Sequence, residues 1–332
     1  VPAAAGAQVY PDRIVVKTRH VVSSAGYQRR DRGDAREEAT DRTTRTFKLG
    51  TGGTLTLGNI AGDITVTRGS GSDTVVDIVK TAHGRDAADA RDLLQIVTVD
   101  ASERNGRAEV KAHYPGGDEM KRNGRRNLNV SIAYTVTAPA GIHLAVETIS
   151  GNVKIADIKG DVTASSISGD VRISGGGRIG SAKSISGAVE ILDGQVDGPL
   201  EASSVSGDVT VRRLSAQRVE AGSVSGNIHL EDLKCDRVEA HTTSGTIGFA
   251  GALARNGHYE LKGFSGEIRV ALSGGTGFDV DASSFSGQIR SDDYPITARG
   301  RLSGRHLTGT WGDGSAVLDL STFSGSIVIA KR

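Results

Sequence analysis

Serine is the most frequent candidate nucleophile in this 332-residue chain, because it recurs at regular intervals beside glycine. Nine Ser-Gly pairs mark this repeat: Ser150-Gly151, Ser168-Gly169, Ser186-Gly187, Ser206-Gly207, Ser225-Gly226, Ser244-Gly245, Ser265-Gly266, Ser286-Gly287 and Ser324-Gly325. A serine attacks a substrate only when a base lies within hydrogen-bonding reach and a third group orients that base. Nine equivalent hydroxyls argue against one activated nucleophile. We therefore interpret the pairs as structural corners, in which hydroxyls satisfy backbone groups and glycine supplies an unusual dihedral angle.

Carboxylate, histidine and cysteine side chains indicate no metal or catalytic chemistry. In the position just after glycine, Ala188 separates Asp170 from Asp208, so neighbouring copies would not share a cation, and the calcium-binding G-G-x-G-x-D repeat is absent. The eight histidines show no H-E-x-x-H spacing. The single cysteine, Cys235, excludes an internal disulfide framework and a cysteine-based zinc site. The sequence predicts no catalytic residue, no cofactor and no metal.

A carbohydrate-active enzyme is the alternative that keeps a catalytic role. Elongated β-helices offer long grooves, and glycoside hydrolysis needs only a pair of carboxylates. The best candidate pair is Asp292-Asp293, in the irregular stretch before Tyr294-Pro295. A surface loop explains the same residues more simply.

The spacing of the marker glycines predicts the fold. Successive glycines are separated by 18, 18, 20, 19, 19, 21, 21 and 38 residues, and the last interval is two periods with the weaker Ser303-Gly304 inside it. A period near 19 residues is typical of a solenoid, in which each repeat packs on its neighbours. We predict an all-β, single-chain β-solenoid (β-helix) with coils of about 18–21 residues, preceded by a β-rich N-terminal region with one short helix.

Alignment of the copies on glycine assigns faces to the strands. The residue two after glycine is always Val or Ile, the residue four after is apolar in eight of nine copies, and the residue between them is variable, as in Lys154, Arg172 and Glu190. A strand alternates between its two faces. The residues seven and five before glycine, such as Val162 and Ala164, form the second wall. Coils stacked at about 4.8 Å would make a rod of about 45 Å.

A further column lies two residues before each glycine, and we call it the apolar column. Its members are Ile149, Ile167, Ile185, Val205, Val224, Thr243, Phe264, Phe285 and Phe323. Stacked aliphatic and aromatic side chains are typical of a solenoid core, and we interpret the column as core. A ligand-binding face is the alternative.

The first third of the chain is less regular. We divide the chain into an exported, charged and flexible N-terminal segment (1–46), an N-terminal β region that starts the solenoid and has one helix at about 86–95 (47–140), and the repeats (141–332). Residues 28–45 are charged without apolar periodicity and predict a mobile segment. We attribute Arg32-Gly33-Asp34 within it to chance rather than to integrin recognition. Ala5-Gly6-Ala7 fits the end of a signal peptide, and a flexible start is the alternative.

Composition limits the partners. Lys and Arg total 40 and Asp and Glu total 39, so the net charge of +1 creates no field for nucleic acid. No apolar run approaches the roughly 18–20 residues of a membrane span, which predicts no transmembrane segment.

Several copies carry a family resemblance: Thr148-Ile149-Ser150-Gly151-Asn152-Val153, Ser166-Ile167-Ser168-Gly169-Asp170-Val171, Ser204-Val205-Ser206-Gly207-Asp208-Val209, and the closing residues 312–325. The chain from about Phe47 to Ile329 resembles the bacterial "putative adhesin" family of β-solenoid repeat domains. The resemblance implies an exported bacterial protein, often of the cell envelope, and has no catalytic motif to transfer.

We therefore expect a non-catalytic, extracytoplasmic structural or interaction module of the bacterial cell envelope, located in the periplasm, on the cell surface or secreted. Its partner would be a protein or cell-surface component that the sequence does not identify. The alternative is an envelope-stress or regulatory sensor domain that binds a protein partner. The last strand, residues 325–330, ends two residues before the chain does. An unpaired edge is open to association, so we expect that coil to be covered by another part of the chain or to self-associate.

Overall fold

Each repeat folds into two strands joined by a Ser-Gly corner, because apolar residues alternate with polar ones on either side of it. The computed structural model describes residues 17–19, 37–116, 128–291, 293–298 and 304–332. Two 14-stranded sheets, which we call the front sheet and the back sheet, face each other across the apolar core. The chain is thus an all-β solenoid, as predicted.

The N-terminal region contributes eight strands and the single described helix: β1 (Lys17–Arg19), β2 (Glu37–Phe47), β3 (Thr54–Ala61), β4 (Ile64–Arg68), β5 (Thr74–Gly84), α1 (Ala87–Ile96), β6 (Thr98–Arg104), β7 (Arg107–His113) and β8 (Val130–Ala138). The front-sheet strands that follow are β9 (His143–Ser150), β11 (Asp161–Ser168), β13 (Arg178–Ser184), β15 (Pro199–Ser204), β17 (Arg218–Ser223), β19 (Arg237–Ser244), β21 (His258–Ser265), β23 (Phe278–Ser284), β25 (Thr297–Ala298), β26 (His306–Trp311) and β27 (Ala316–Ser324). The back-sheet strands are β10 (Val153–Ala156), β12 (Val171–Ser174), β14 (Val189–Gln195), β16 (Val209–Ser215), β18 (Ile228–Glu231), β20 (Ile247–Ala252), β22 (Ile268–Ser273), β24 (Ile289–Arg290) and β28 (Ile327–Lys331).

Equivalent residues of successive coils pair in parallel and in register. Val153 lies opposite Val171, and Val171 lies opposite Val189. Both predicted walls are buried, with Val162 and Ala164 on the front sheet and the residues two and four after glycine on the back sheet. The exceptions are Ile289 and Ser291, which are only half-buried in the coil that contains the short strand β24. The predicted assignment of these faces agrees with the structure.

A second turn, which the sequence patterns did not reveal, lies six residues after the marker glycine. The backbone there adopts a positive φ in consecutive coils, as at Asp157 (58°), Gly175 (65°), Asp193 (52°), Arg213 (50°) and Asp232 (52°). Asp and Asn tolerate this conformation better than other residues with a side chain. The mixture of Asp, Gly and Arg hid the repeat of this turn from inspection of the sequence.

The N-terminal end of the solenoid is covered by antiparallel strands and α1. Strand β2 pairs with β5 along its whole length, so residues 37–45 are not the mobile segment that their charges suggested. Three β-branched threonines between residues 40 and 44 favour a strand there. The helix agrees with prediction and is capped at its N-terminus by Asp86, whose side chain accepts a hydrogen bond from the Asp89 amide at 2.8 Å.

Coils at both ends stack out of sequence order. Strands β3 and β4 lie between β7/β8 and β9/β10, although β7 and β8 come later than β3 and β4 in the chain. At the other end, β27 lies between β21 and β23, and β28 lies between β22 and β24. The last strand is therefore covered by an earlier part of the chain. Self-association through its edge, one of the two expectations, is wrong because that edge is occupied.

Several sequence predictions concern residues that the structure does not describe. Residues 1–8, Arg32-Gly33-Asp34, Asp292 and Ser303 lie outside the described residues. The division into segments at 46 and 140 stays a prediction. Within the described part of the chain, no helix has the length and apolar character needed to span a membrane.

Candidate functional site

The marker glycines stack directly on one another, and this contact explains why they are glycine. A Cβ atom placed on Gly207 would lie 2.1 Å from the carbonyl oxygen of Gly187, and the corresponding distances at the other eight glycines are 1.8–2.2 Å. An unusual dihedral angle, the reason we expected, applies only at Gly151, Gly245 and Gly266, where φ is 145–155°. Close approach of the backbones is the general cause.

The buried hydroxyls of the corner belong to a different serine from the one expected. The serines directly before glycine are exposed, whereas the residues three before glycine are buried. Ser204 is representative, because its Oγ donates to the Gly187 carbonyl oxygen at 2.8 Å and accepts from the Gly207 amide at 3.0 Å. The equivalent donors are Ser166, Ser184, Ser223, Thr242, Ser284 and Thr322. These hydroxyls are occupied by backbone groups, which supports a structural role.

Gly263 interrupts this ladder of buried hydroxyls, and a serine there should extend it. Gly263 pairs with Thr242 and Thr322, its φ is not positive, and an added Cβ meets no atom closer than 3.4 Å. We expect Gly263→Ser to stabilise the fold by about 1.5 kcal/mol, of which about 1 kcal/mol comes from a hydrogen bond to the Gly245 carbonyl and the rest from lower backbone entropy. Urea unfolding measures the difference. Gly263→Ala is the control and should gain only about 0.5 kcal/mol; equal gains would contradict the hydrogen bond.

The polar residues just after glycine also bind backbone groups. Asp63 Oδ1 accepts from the Asn152 amide at 2.8 Å, Asn152 Oδ1 from the Asp170 amide at 3.0 Å, and Asp170 Oδ1 from the Ala188 amide at 2.9 Å. Ala188 has no acceptor and interrupts the series, which Asp208 resumes at Asn227. Among the residues described, no three His, Cys, Asp or Glu side chains are placed to hold a metal ion.

The apolar column lies on the outside of the solenoid, so our interpretation of it as core is wrong. Its aliphatic and aromatic members are 43–68% exposed: Ile149, Ile167, Ile185, Val205, Val224, Phe264, Phe285 and Phe323. The buried members of the same strand end are the hydroxyls three before glycine. The column therefore forms an exposed line of apolar side chains along the front sheet, interrupted at Thr243, which fits the alternative of a ligand-binding face.

The aromatic end of the column is ordered by the unusual coil order. Because β27 lies between β21 and β23, Phe323 lies between Phe264 and Phe285. The ring centroids are 5.0 Å and 4.7 Å apart, and the rings are parallel within 5°. Thr243 separates this stack from the aliphatic members.

A shallow groove of about 460 Å³ runs beside the aliphatic members. Small residues of the front sheet form its floor, among them Ser165, Ser203 and Gly222. Gly222 leaves room for the His241 ring, because a Cβ on Gly222 would lie 2.9 Å from His241 Nε2. Lys183 and His241 bring basic groups to this side of the column.

A row of acidic residues, which the sequence patterns did not reveal, lies six residues before glycine. It is two residues further from the column along each strand than Lys183 and His241. Its members occupy consecutive coils: Glu201, Glu220, Glu239, Glu260, Asp319 and Asp281. Neighbouring basic side chains offset much of the negative charge of this row. Hydrogen bonds from Arg237 and Arg218, each at 2.5 Å, lower the pKa of Glu239 below its usual value. Counting six before glycine in each copy would have found this row.

The carboxylate pair of the enzyme alternative is only half described. Asp293 accepts a hydrogen bond through Oδ2 from the Lys331 amide at 2.9 Å, so it anchors the chain end. Asp292 lies outside the described residues.

Comparison with known proteins identifies relatives of the fold. A family model described as Toastrack DUF4097 matches residues 53–330. Similar solved structures include a "putative adhesin" from Bacteroides fragilis NCTC 9343 (15% identity, TM-score 0.42, covering 88% of this chain and 97% of that one). Another is a "putative lipid binding protein" from Parabacteroides distasonis ATCC 8503 (14% identity, TM-score 0.43, covering 88% and 96%). No curated protein matches the chain.

Proposed function

The chain belongs to the Toastrack DUF4097 family, and we propose that it is a non-catalytic interaction module of the bacterial cell envelope, adhesin-like in that it contacts a partner through its surface. We propose further that it is exported and acts in the periplasm, on the cell surface or after secretion. The apolar column is the contact surface.

The single observation that supports this proposal is the exposure of the apolar column. Isolated exposed apolar residues are common, but a line of them is typical of an interaction site. Burial of apolar surface contributes about 25 cal/mol per Å², so covering the column would be favourable. The buried hydroxyls of Ser166, Ser184, Ser204 and Ser223 beside it bind backbone carbonyls, and apolar contact is the chemistry that the column itself offers.

Nile red, a neutral dye that fluoresces in apolar surroundings, tests whether the column binds. We expect the folded chain at high dilution to enhance the dye's fluorescence, and the quadruple variant Ile167→Ser, Ile185→Ser, Val205→Ser and Val224→Ser to lose most of the enhancement. These side chains face solvent, so the variant should keep the circular dichroism and urea midpoint of the parent.

The matched control is a valine outside the column. Val317 is also exposed, and Val317→Ser should leave the dye signal unchanged, whereas Val205→Ser alone should reduce it. Unchanged fluorescence in a folded quadruple variant would refute the column as a binding surface.

A further inference from the structure

The geometry points to a second copy of this chain as the partner of the apolar column, with the two rods parallel and the columns face to face. This inference rests on the proposed function, because it requires the column to be a contact surface. Three features of the column support it: its period, its area and the charges on its two flanks.

The period of the column favours a partner with the same period. Its nine members repeat once per coil, at about 4.8 Å, along nine coils. A second copy presents the same spacing, so every rung meets an equivalent rung over the whole length. In a parallel pair the aliphatic members meet aliphatic members, Thr243 meets Thr243, and the phenylalanine stack meets the phenylalanine stack.

The area of the column reaches the range of stable dimers. The strip that includes one residue on either side is about 45 Å long and about 14 Å wide, from the spacing of coils and of alternate residues along a strand. Face-to-face contact would bury about 600 Å² on each copy, or about 1,200 Å² in total, which is the lower limit of specific interfaces. A dissociation constant in the micromolar range is therefore expected.

The charges on the flanks distinguish the parallel from the antiparallel arrangement. The flank four residues before glycine carries Lys183, His241 and Lys262 with one acid, Glu147. The flank just after glycine carries acids in several coils: Asp63, Asp170, Asp208 and Glu267. A twofold axis along the rod exchanges the two flanks, so Lys262 of one copy lies opposite Glu267 of the other, whereas Lys183 and His241 lie opposite the uncharged Ala188 and Thr246.

A twofold axis perpendicular to the rods makes them antiparallel. It would place each flank of one copy opposite the same flank of the other. Complementary charges across an interface favour the correct arrangement, and like charges oppose the wrong one. In the parallel pair, Lys262 of one copy and Glu267 of the other lie in the same coil. The parallel arrangement is therefore the one that the flank charges favour, although Lys183, Lys262 and Glu267 also pair within their own chain.

Sedimentation equilibrium tests the association. We expect a reversible monomer–dimer equilibrium at micromolar concentration, and at least a tenfold weaker one for Val205→Lys, which places two ammonium groups together in the contact. The control Thr210→Lys lies in the same coil on the back sheet and should not change it. Dye binding per chain should fall as the protein concentration rises, because Nile red and the second copy compete.

Crosslinking tests the parallel arrangement. Thr243→Cys should form a covalent dimer with a short bis-maleimide, because equivalent residues face each other only when the rods are parallel. Cys235 gives no background, since burial raises the pKa of its thiol to about 12. Thr210→Cys on the back sheet is the control and should form no covalent dimer.

Three results would overturn the inference, and each leaves the proposed function distinguishable from it. A chain that stays monomeric at tens of micromolar excludes the second copy. A dimer that Val205→Lys leaves intact, or that Thr243→Cys does not crosslink, excludes this interface or its parallel form. A monomer that binds phosphatidylcholine vesicles, with loss in the quadruple serine variant, would assign the column to lipid; the proposed function would then stand while the inference fails.

Discussion

Gly207→Ala is expected to destabilise the solenoid by about 3 kcal/mol, a typical upper value for inserting a methyl group where no space exists. The new Cβ would lie 2.1 Å from the Gly187 carbonyl oxygen and 2.9 Å from the Ala188 amide nitrogen. Both are backbone atoms, so no side chain can rotate away. The strand would have to separate from its neighbour, with loss of the hydrogen bonds that Ser204 makes across the corner.

A set of three single variants around this corner separates the causes. Urea unfolding should show the largest loss for Gly207→Ala, a loss of about 1–3 kcal/mol for Ser204→Ala because two buried backbone groups lose their partner, and a change within about 0.5 kcal/mol for the exposed Ser206→Ala. If Ser206→Ala cost as much as Ser204→Ala, the assignment of the buried hydroxyl would be wrong.

The period of two along the strand explains which predictions succeeded. Val162 and Ala164 are buried because they share the parity of the core face. Ser166, two residues after Ala164, lies on the same inward face and is buried. Ile167 lies on the opposite face and is exposed. Our interpretation of the apolar column as core gave hydrophobicity more weight than parity. The information was therefore present in the sequence, and apolar residues of outward parity marked the candidate contact surface.

Other features depend on contacts that no local pattern encodes. The need for glycine at the corner arises from the carbonyl of the neighbouring coil, which explains why a local dihedral angle accounted for only three of the nine positions. The stacking order of the end coils is also not encoded locally, because nearly equivalent repeats could pack on one another in more than one order. Strands β22 and β28 present the same inward pattern, and β24 begins it with Ile289, so these sequences alone do not determine that β28 lies between the other two.

The stacked phenylalanines connect this coil order with the proposed contact surface. Phe264 and Phe323 are separated in the chain, and the insertion of β27 between β21 and β23 places their ring centroids 5.0 Å apart. If the coils stacked in sequence order, Phe285 would follow Phe264 and Phe323 would end the column. The aromatic end of the surface therefore depends on the last 17 residues.

Removing residues 316–332 is expected to unfold the C-terminal coils, because this segment supplies inner strands of both sheets. Leu318, Leu320, Ile327 and Ile329 are fully buried or nearly so, and losing them removes about 8 kcal/mol of burial at about 2 kcal/mol each. That is comparable with the whole stability of an ordinary domain, about 5–15 kcal/mol. Strands β23 and β24 would lose the neighbours through which they join the solenoid.

Hydrogen exchange of the truncated chain measures how far the loss extends. Repeats of a solenoid are stabilised mainly by their neighbours, so amides of β23 and β26 should exchange rapidly while those of β9 to β17 keep their protection. Removing only Lys331 and Arg332 is the control. It deletes the exposed contacts of Arg332 with Glu231 and Asp232 and the amide hydrogen bonds of Lys331 to Asp293 and of Arg332 to Leu272, and should cost about 1–3 kcal/mol, well below the longer truncation. Full protection of β23 in the longer truncation would show that β23 packs on β21 without the inserted coil, and that the end of the solenoid can also stack in sequence order.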